Sequence, residues 1–213
     1  MSEGLKALTK IFDEMFERGI IKSKDFLCVY PYGSRVYECN LDGDEDLLII
    51  MDTEDKKHET QYSLGYRDMS FYAKNSFQEM LLNHDIIALE CFFLPENLKQ
   101  KENIAFDFEL DLKKLRHSVS HVSSNSFVKA KKKLTVEKDF NPYIGKKSLF
   151  HSLRILKFGI QIAEFGRIVN YAEANHLWDE IISDKSEKWE DYKIKYQPMY
   201  NQLKSEFKKI APK

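Results

Sequence analysis

The sequence predicts an α+β protein with an all-helical C-terminal part, and three patterns support this fold class. Two apolar runs of strand length, Phe26–Tyr30 and Asp46–Met51, lie near the start of the chain. Polar and apolar residues then alternate from Tyr62 to Tyr72, which is the period of an extended strand. Beyond Leu94 the apolar residues recur at three and four positions, which is the period of an α-helix.

Three helices accompany the predicted strands in the N-terminal half, at residues 1–19, 75–83 and 84–94. The first has its apolar residues on one stripe, which is typical of an amphipathic helix. Asn75 is a common residue at a helix start, and Pro95 is a common residue after a helix end. Residues 99–108 show neither period and are interpreted as a connector.

The C-terminal half is predicted to hold four helices, at residues 111–137, 146–165, 173–182 and 186–210. Residues 141–145 contain Asn-Pro and Gly and are interpreted as a turn. Gly166 is a typical residue after a helix end, and Pro198 is expected to interrupt the last helix. The expected organisation is a core at residues 1–98 with a helical domain, residues 99–213, docked on it.

Composition excludes several classes of protein. The 213 residues carry a net charge of −1, so the whole chain is not a strongly basic nucleic-acid binder. Its three cysteines form no CxxC pair and are expected to be reduced thiols. No signal peptide and no apolar run of roughly 20 residues is present, so we expect a soluble cytoplasmic protein without a membrane partner.

The most informative segment joins the first two predicted strands. A turn containing Gly33 and Ser34 follows the first strand, and Asp44 and Asp46 precede the apolar residues of the second. Two aspartates two positions apart in a strand lie on one face, where they repel each other unless a cation lies between them. The Gly-Ser turn offers backbone N–H groups to a phosphate. The segment therefore predicts a site for a metal ion and a phosphate.

The order of strand, Gly-Ser, Asp-x-Asp and strand resembles the signature of the DNA-polymerase-β-type nucleotidyltransferase superfamily. The resemblance implies an α/β nucleotidyltransferase core with a small mixed sheet. It implies that Gly33 and Ser34 hold the phosphates of a nucleoside triphosphate. It also implies that Asp44 and Asp46 bind two divalent cations, Mg²⁺ or Mn²⁺, which stabilise the attacking and leaving oxygens. The alternative is a surface hairpin with incidental acids.

Enzymes of this superfamily usually take a third carboxylate from a neighbouring strand, where it binds metal and accepts a proton. Asp68 fits this role because it lies in RDMSFYA, a predicted strand. Glu90 is the rival, but IIALECFF has helical spacing, so Glu90 is expected to face solvent or a partner helix. Arg35 lies beside the phosphate turn, where it could contact phosphate or pair with a nearby acid.

Lys147, His151 and Arg154 are spaced by four and three residues, so they lie on one face of a helix. Positive groups on one face suit a triphosphate or an acceptor phosphate. This helix is similar to the K-x-x-x-H-x-x-R-L-L motif of predicted bacterial and phage nucleotidyltransferases. Ile155 replaces the first paired leucine, and Gly159 begins a matching G-x-x-I. The alternative is a solvated basic face with His151 half-buried.

Together these patterns predict a nucleotidyltransferase that moves a nucleoside monophosphate from an NTP, with ATP preferred, to a hydroxyl acceptor. The acceptor could be RNA, a small molecule or a protein, and no acceptor signature is visible. One alternative is a nucleotide-binding or regulatory protein without turnover. Another is an RNA-binding module that uses the lysines at 129–133. His117 and His121 lack the further ligands that a zinc site needs.

Overall fold

The structure is a computed structural model that describes residues 3–21, 25–39, 43–53 and 60–212. The chain forms two compact units. The first comprises Met1–Leu82 with Ile87–Glu109, and the second comprises Asn83–Ile86 with Leu110–Lys213. The main division therefore lies after Glu109, whereas the sequence placed it after residue 98. Residues 99–108, interpreted as a connector, contain a short strand of the first unit.

The first unit combines five strands with three helices among its described residues. They are α1 (Glu3–Glu17), β1 (Phe26–Tyr32), β2 (Glu45–Met51), β3 (Thr60–Leu64), β4 (Arg67–Ala73), α2 (Lys74–Leu82), α3 (Ile86–Phe92) and β5 (Lys101–Glu102). The predicted strands and helices of this half are present, with ends that differ by a few residues. The alternating stretch from Tyr62 to Tyr72, however, forms two strands, β3 and β4, that are separated by a turn.

The five strands form one sheet in the order β3-β4-β2-β1-β5. Strands β2 and β4 pair in parallel, whereas the pairs β1–β2, β3–β4 and β1–β5 are antiparallel. A parallel pair needs a connection that crosses over, and here β3 takes part in that connection before β4 returns beside β2. The prediction of an α+β fold with a small mixed sheet is confirmed.

Helix α1 packs against one face of the sheet. Phe12 is fully buried there and makes edge-to-face contacts with Phe26 and Phe71, with ring centroids 4.9 and 5.5 Å apart. Leu47 and Met69 belong to the same apolar cluster. Because side chains alternate along a strand, the residues next to Leu47 and Met69 lie on the opposite face. That opposite face carries the two candidate aspartates of β2 and β4.

The second unit is helical among its described residues. Its α-helices are α4 (Leu112–Thr135), α5 (Pro142–Phe165), α6 (Asn175–Ser183) and α7 (Trp189–Ile210). A short 3-10 helix (Glu137–Asp139) lies between α4 and α5. Side chains cap two of these helices, since Asp111 accepts from the first turn of α4 and Asn141 accepts from Ile144 in α5. Gly166 ends α5 in the left-handed conformation, as predicted.

Two details of the helical prediction were wrong. Gly145 was assigned to a turn, but it lies inside α5, because Asn141 caps the helix and Pro142 occupies its first turn, where proline is well tolerated. Pro198 was expected to interrupt the last helix, but α7 continues through it. Packing of buried residues on both sides of Pro198, such as Tyr196 and Tyr200, outweighs the lost hydrogen bond.

Helices α4 and α5 run antiparallel and approach closely where one of them carries a small residue. A side chain on Gly145 would meet Leu134 Cγ at 2.7 Å, and one on Gly159 would meet Val119 Cγ1 at 2.7 Å. Between these contacts the hydroxyl of Ser123 donates to the carbonyl of Ser152 at 2.8 Å. These three contacts define which turns of the two helices lie side by side.

Across the residues that the structure describes, no helix is both long enough and apolar enough to cross a membrane.

Candidate functional site

The Gly33–Ser34 turn leaves the end of β1 and coils back on itself. The Gly33 carbonyl accepts hydrogen bonds from the backbone N–H of Val36 and of Tyr37, and the Ser34 carbonyl accepts one from Cys39. Gly33 has φ of +80°, which favours glycine. A Cβ at this position would lie 2.2 Å from Oδ2 of Asp46. The turn is therefore in direct contact with the candidate metal ligand Asp46, and only glycine permits this approach.

Asp46 and Asp68 are partners in the register of the parallel strands β2 and β4. Neighbouring strands lie about 4.8 Å apart, and paired residues project from the same face of the sheet. Tyr32 of β1 pairs with Asp46 from the other side. The structure thus brings the two predicted carboxylates side by side next to the glycine turn, on the face opposite α1.

The phenol of Tyr32 remains protonated beside this pair of acids. Burial raises the pKa of Tyr32 to about 12. The hydrogen bond with Ser70 opposes this rise, and the negative charge of Asp46 adds a smaller one. The Tyr32 and Ser70 oxygens are 3.4 Å apart. Tyr32 can therefore offer a neutral hydroxyl next to the carboxylate but does not add a negative charge at neutral pH.

Asp44 differs from the other two acids because it is exposed and lies just before β2. Gly43, directly before it, is held by Arg35, whose Nε and Nη2 donate to the Gly43 carbonyl at 3.0 and 2.7 Å. Arg35 thereby links the Gly33–Ser34 turn to the start of the Asp-x-Asp segment. Its contact with a phosphate stays a prediction.

A cavity of about 150 Å³ opens beside this arrangement. Its lining includes Tyr32, Arg35 and three acids, Glu38, Glu45 and Asp46. Ligand pockets for drug-sized molecules are usually about 300–1,000 Å³, so this cavity has room for part of a nucleotide only. Because acids outnumber cations in this lining, a phosphate would enter the cavity only together with a cation.

The acids fit a hard divalent cation in chemistry, since Mg²⁺ prefers carboxylate oxygens. Asp46 and Asp68 could both contribute because they share one face and one register position. Within the described residues, however, no three His, Cys, Asp or Glu side chains converge on a common point suited to a metal. Asp44 is exposed and does not form a three-residue cluster with Asp46 and Asp68. Its role as a metal ligand therefore stays a prediction.

Of the two alternatives expected for Glu90, exposure to solvent was wrong. Its segment is helical, as predicted, but the side chain is buried, with 3% of its surface exposed. The hydroxyl of Tyr37, itself in the coiled turn after Gly33, donates to Oε2 of Glu90. Sequence reasoning missed this pair, although a single acid inside the otherwise apolar IIALECFF was a signal. Glu90 thus holds the turn that follows Gly33 through Tyr37.

The helix α5 carries Lys147, His151 and Arg154 on one face, but the three differ in exposure. Lys147 is exposed, His151 is half-buried and Arg154 is buried, with its guanidinium 5.4 Å from the ring centre of Phe158. Arg154 Nη2 lies 3.0 Å from Nδ1 of His151. Burial, and then the charges of nearby cations, lowers the pKa of His151 to about 3. His151 is therefore neutral, and the face is less positive than its sequence suggested.

The remaining sequence signals have mainly structural roles. Lys132 and Lys133 both pair with Asp139, at 2.7 and 3.7 Å, which partly neutralises the basic cluster at the end of α4. His117 and His121 are exposed and stack on each other, with ring centroids 6.3 Å apart. The serines of α4 include Ser123, whose hydrogen bond joins α4 to α5.

Comparison with known proteins gives a distant structural likeness. The chain matches no family model and no curated protein. It is similar to the crystal structure of a nucleotidyltransferase-like protein from Exiguobacterium sibiricum 255-15, with 13% sequence identity and a TM-score of 0.37. The match covers 95% of this chain and 78% of that chain. A likeness this distant assigns neither a family nor a function to the chain.

Proposed function

We propose that this chain is a metal-dependent nucleotidyltransferase of the DNA-polymerase-β type. The observation that carries the proposal is the placement of Asp46 and Asp68 in one register position, with the Gly33 turn packed directly on the Asp46 carboxylate. The resemblance of the Gly-Ser and Asp-x-Asp segments to that superfamily supports the same conclusion. The site lies entirely within the first unit.

In the proposed reaction the hydroxyl oxygen of an acceptor attacks the α-phosphorus of an NTP, with ATP as the expected donor. A new P–O bond forms, the bond to the β-phosphate oxygen breaks, and pyrophosphate leaves. Asp68 accepts the proton of the hydroxyl, and backbone N–H groups near Gly33 and Ser34 bind the phosphates. Asp44, Asp46 and Asp68 would hold Mg²⁺ or Mn²⁺, which supplies charge stabilisation to the reacting phosphate.

The test is incubation of the protein with α-labelled NTPs, Mg²⁺ and separate pools of RNA, protein and small-molecule extract. We expect label to enter one pool, and we expect the Asp46→Asn and Asp68→Asn variants to lose this transfer while remaining folded. Chelation of the divalent cation should also stop it. Equal labelling by the Asp46→Asn variant and the unmodified protein would contradict the proposal.

A nucleotide-binding protein without turnover is the competing proposal, and the exposed position of Asp44 outside β2 favours it. Such a protein would bind an NTP at the same turn without releasing pyrophosphate. Calorimetry with ATP and Mg²⁺, combined with a pyrophosphate-release assay over long incubation, separates the two. Binding that depends on Asp46 without any release supports the competitor.

A further inference from the structure

A cluster of cations surrounds the half-buried His151 within the helical unit. Lys147 and Arg154 belong to α5, as the helical spacing predicted. A third cation comes from α4. The contacts Leu134–Gly145, Ser123–Ser152 and Val119–Gly159 fix how the antiparallel helices align. This alignment places Lys129 level with the turn of α5 that contains Lys147 and His151.

The charges support this placement. The positive charges of Arg154, Lys129 and Lys147, in that order, act with burial to lower the pKa of His151. Within the described part of the chain, neither Lys129 nor Lys147 forms an ion pair. Lys132 and Lys133, by contrast, are paired with Asp139. Two exposed ammonium groups therefore act on the histidine, and neither is paired with an acid among the residues that the structure describes.

The hydrogen bond of His151 determines which nitrogen carries its proton. A guanidinium can only donate, so Nδ1 of His151 must accept the hydrogen bond from Nη2 of Arg154. A neutral imidazole whose Nδ1 accepts has its proton on Nε2. His151 therefore presents an N–H donor on the side away from Arg154. Arg154 is a positioning residue, since its guanidinium holds the ring while stacked beside Phe150 and Phe158.

We propose that Lys129, Lys147 and the Nε2–H of His151 form a binding site for a phosphate group, with Arg154 orienting the histidine. The ligand class is a polyphosphate, either free pyrophosphate or the phosphate chain of an NTP. The two ammonium groups supply charge, and the imidazole supplies one directed hydrogen bond to a phosphate oxygen. Lys129 lies in α4 and is therefore an addition to the residues of the α5 motif.

This inference deepens the proposed function by giving the helical unit its own phosphate site, but its test does not require catalysis. Pyrophosphate binding to the full chain is measured by calorimetry in EDTA, which removes metal-dependent binding elsewhere. We expect Lys129→Gln and Lys147→Gln each to weaken binding about tenfold or more. Lys131→Gln is the matched control, because Lys131 is exposed on the same helix and lies outside the cluster. We expect it to change binding less than about twofold.

The role of His151 has a separate readout. His151→Phe should weaken pyrophosphate binding, and His151→Gln, which keeps an N–H donor, should restore part of it. Sulfate is a dianion between about pH 8 and about pH 5.5, so its affinity should stay constant over this range if His151 binds in the neutral form. Long-range ¹H–¹⁵N NMR should show the Nε2–H form of the ring in the free protein. Affinity that rises steeply below about pH 6.5 would overturn the neutral-donor assignment.

Two outcomes separate this inference from the proposed function. Asp46→Asn should abolish nucleotide transfer and leave pyrophosphate binding in EDTA unchanged, because Asp46 belongs to the other unit. If transfer fails in every assay but Lys129→Gln still loses pyrophosphate binding, only the proposed reaction is wrong. If Lys129→Gln binds as well as Lys131→Gln does, the phosphate site is wrong whatever the activity.

Discussion

Replacement of Gly33 by alanine tests the closest contact in the candidate site. Gly33 has φ of +80°, and a left-handed conformation costs a residue with a side chain about 1–2 kcal/mol. The new Cβ would also lie 2.2 Å from Oδ2 and 3.0 Å from Cγ of Asp46. The carboxylate must then leave its preferred rotamer, which costs about 0.5–1.5 kcal/mol more. We expect Gly33→Ala to lower the free energy of unfolding by about 1.5–3.5 kcal/mol in total.

Gly65→Ala is the matched control for backbone strain. Gly65 has φ of +61° in the turn between β3 and β4, and a Cβ there meets nothing within 4 Å. This variant should show only the conformational cost, about 1–2 kcal/mol. In the background of Asp46→Ala, where no carboxylate remains to be displaced, the cost of Gly33→Ala should fall to about the same value.

The assay must report on the first unit. Both tryptophans, Trp178 and Trp189, belong to the second unit, so their fluorescence follows that unit instead. Native-state hydrogen exchange of amides in β1, β2 and β4 measures the stability of the sheet directly. Equal costs for Gly33→Ala and Gly65→Ala, with no coupling to Asp46, would refute the reasoning.

Three further predictions concern buried groups. Tyr37→Phe removes a hydrogen-bond donor to the buried Glu90 carboxylate and should lower the stability of the sheet by about 1–3 kcal/mol. Hydrogen exchange measures this change, and an unchanged value would contradict the role of Glu90 in holding the turn. Because the pKa of His151 falls to about 3 on folding, the unfolded chain binds a proton below about pH 6.5 that the native ring does not. The free energy of unfolding should therefore drop by up to about 2 kcal/mol from about pH 7 to about pH 5, measured by urea unfolding followed by tryptophan fluorescence. In the His151→Gln variant this free energy should depend less steeply on pH. The methyl group added by Gly159→Ala would overlap Val119 and should lower the free energy of unfolding of the helical unit by about 1–3 kcal/mol in the same assay. An unchanged value would mean that α4 and α5 can separate without cost.

Local patterns predicted most of the secondary structure because the periods of two and of three to four residues reflect burial along one element. The capped start of α4 at Asp111 and the left-handed end of α5 at Gly166 could be read directly from residue types. The position of Gly145 inside a helix could not be predicted in this way, since a glycine near Asn-Pro is equally typical of a turn. Only the close approach of Leu134 shows that this glycine is needed inside a helix.

The candidate site was predicted in its residue types but not in its contacts. Gly33, Asp46 and Asp68 were selected from spacing and resemblance, and the structure places the two aspartates side by side. The roles of these residues stay predictions. The buried pair of Tyr37 and Glu90 was missed, because hydrogen bonds between distant segments leave no period in a sequence.

The sequence by itself determined most of the types of element, their order and the residue types of the acidic segment, because each depends on neighbouring residues. Tertiary structure alone decided how close Gly33 lies to Asp46, which acid is buried and which cation joins His151. These depend on strand register and on helix alignment, where residues far apart in the chain meet. Lys129 is the clearest example. It lies 18 residues before Lys147 in the sequence, and only the alignment of α4 with α5 places the two residues at the same level.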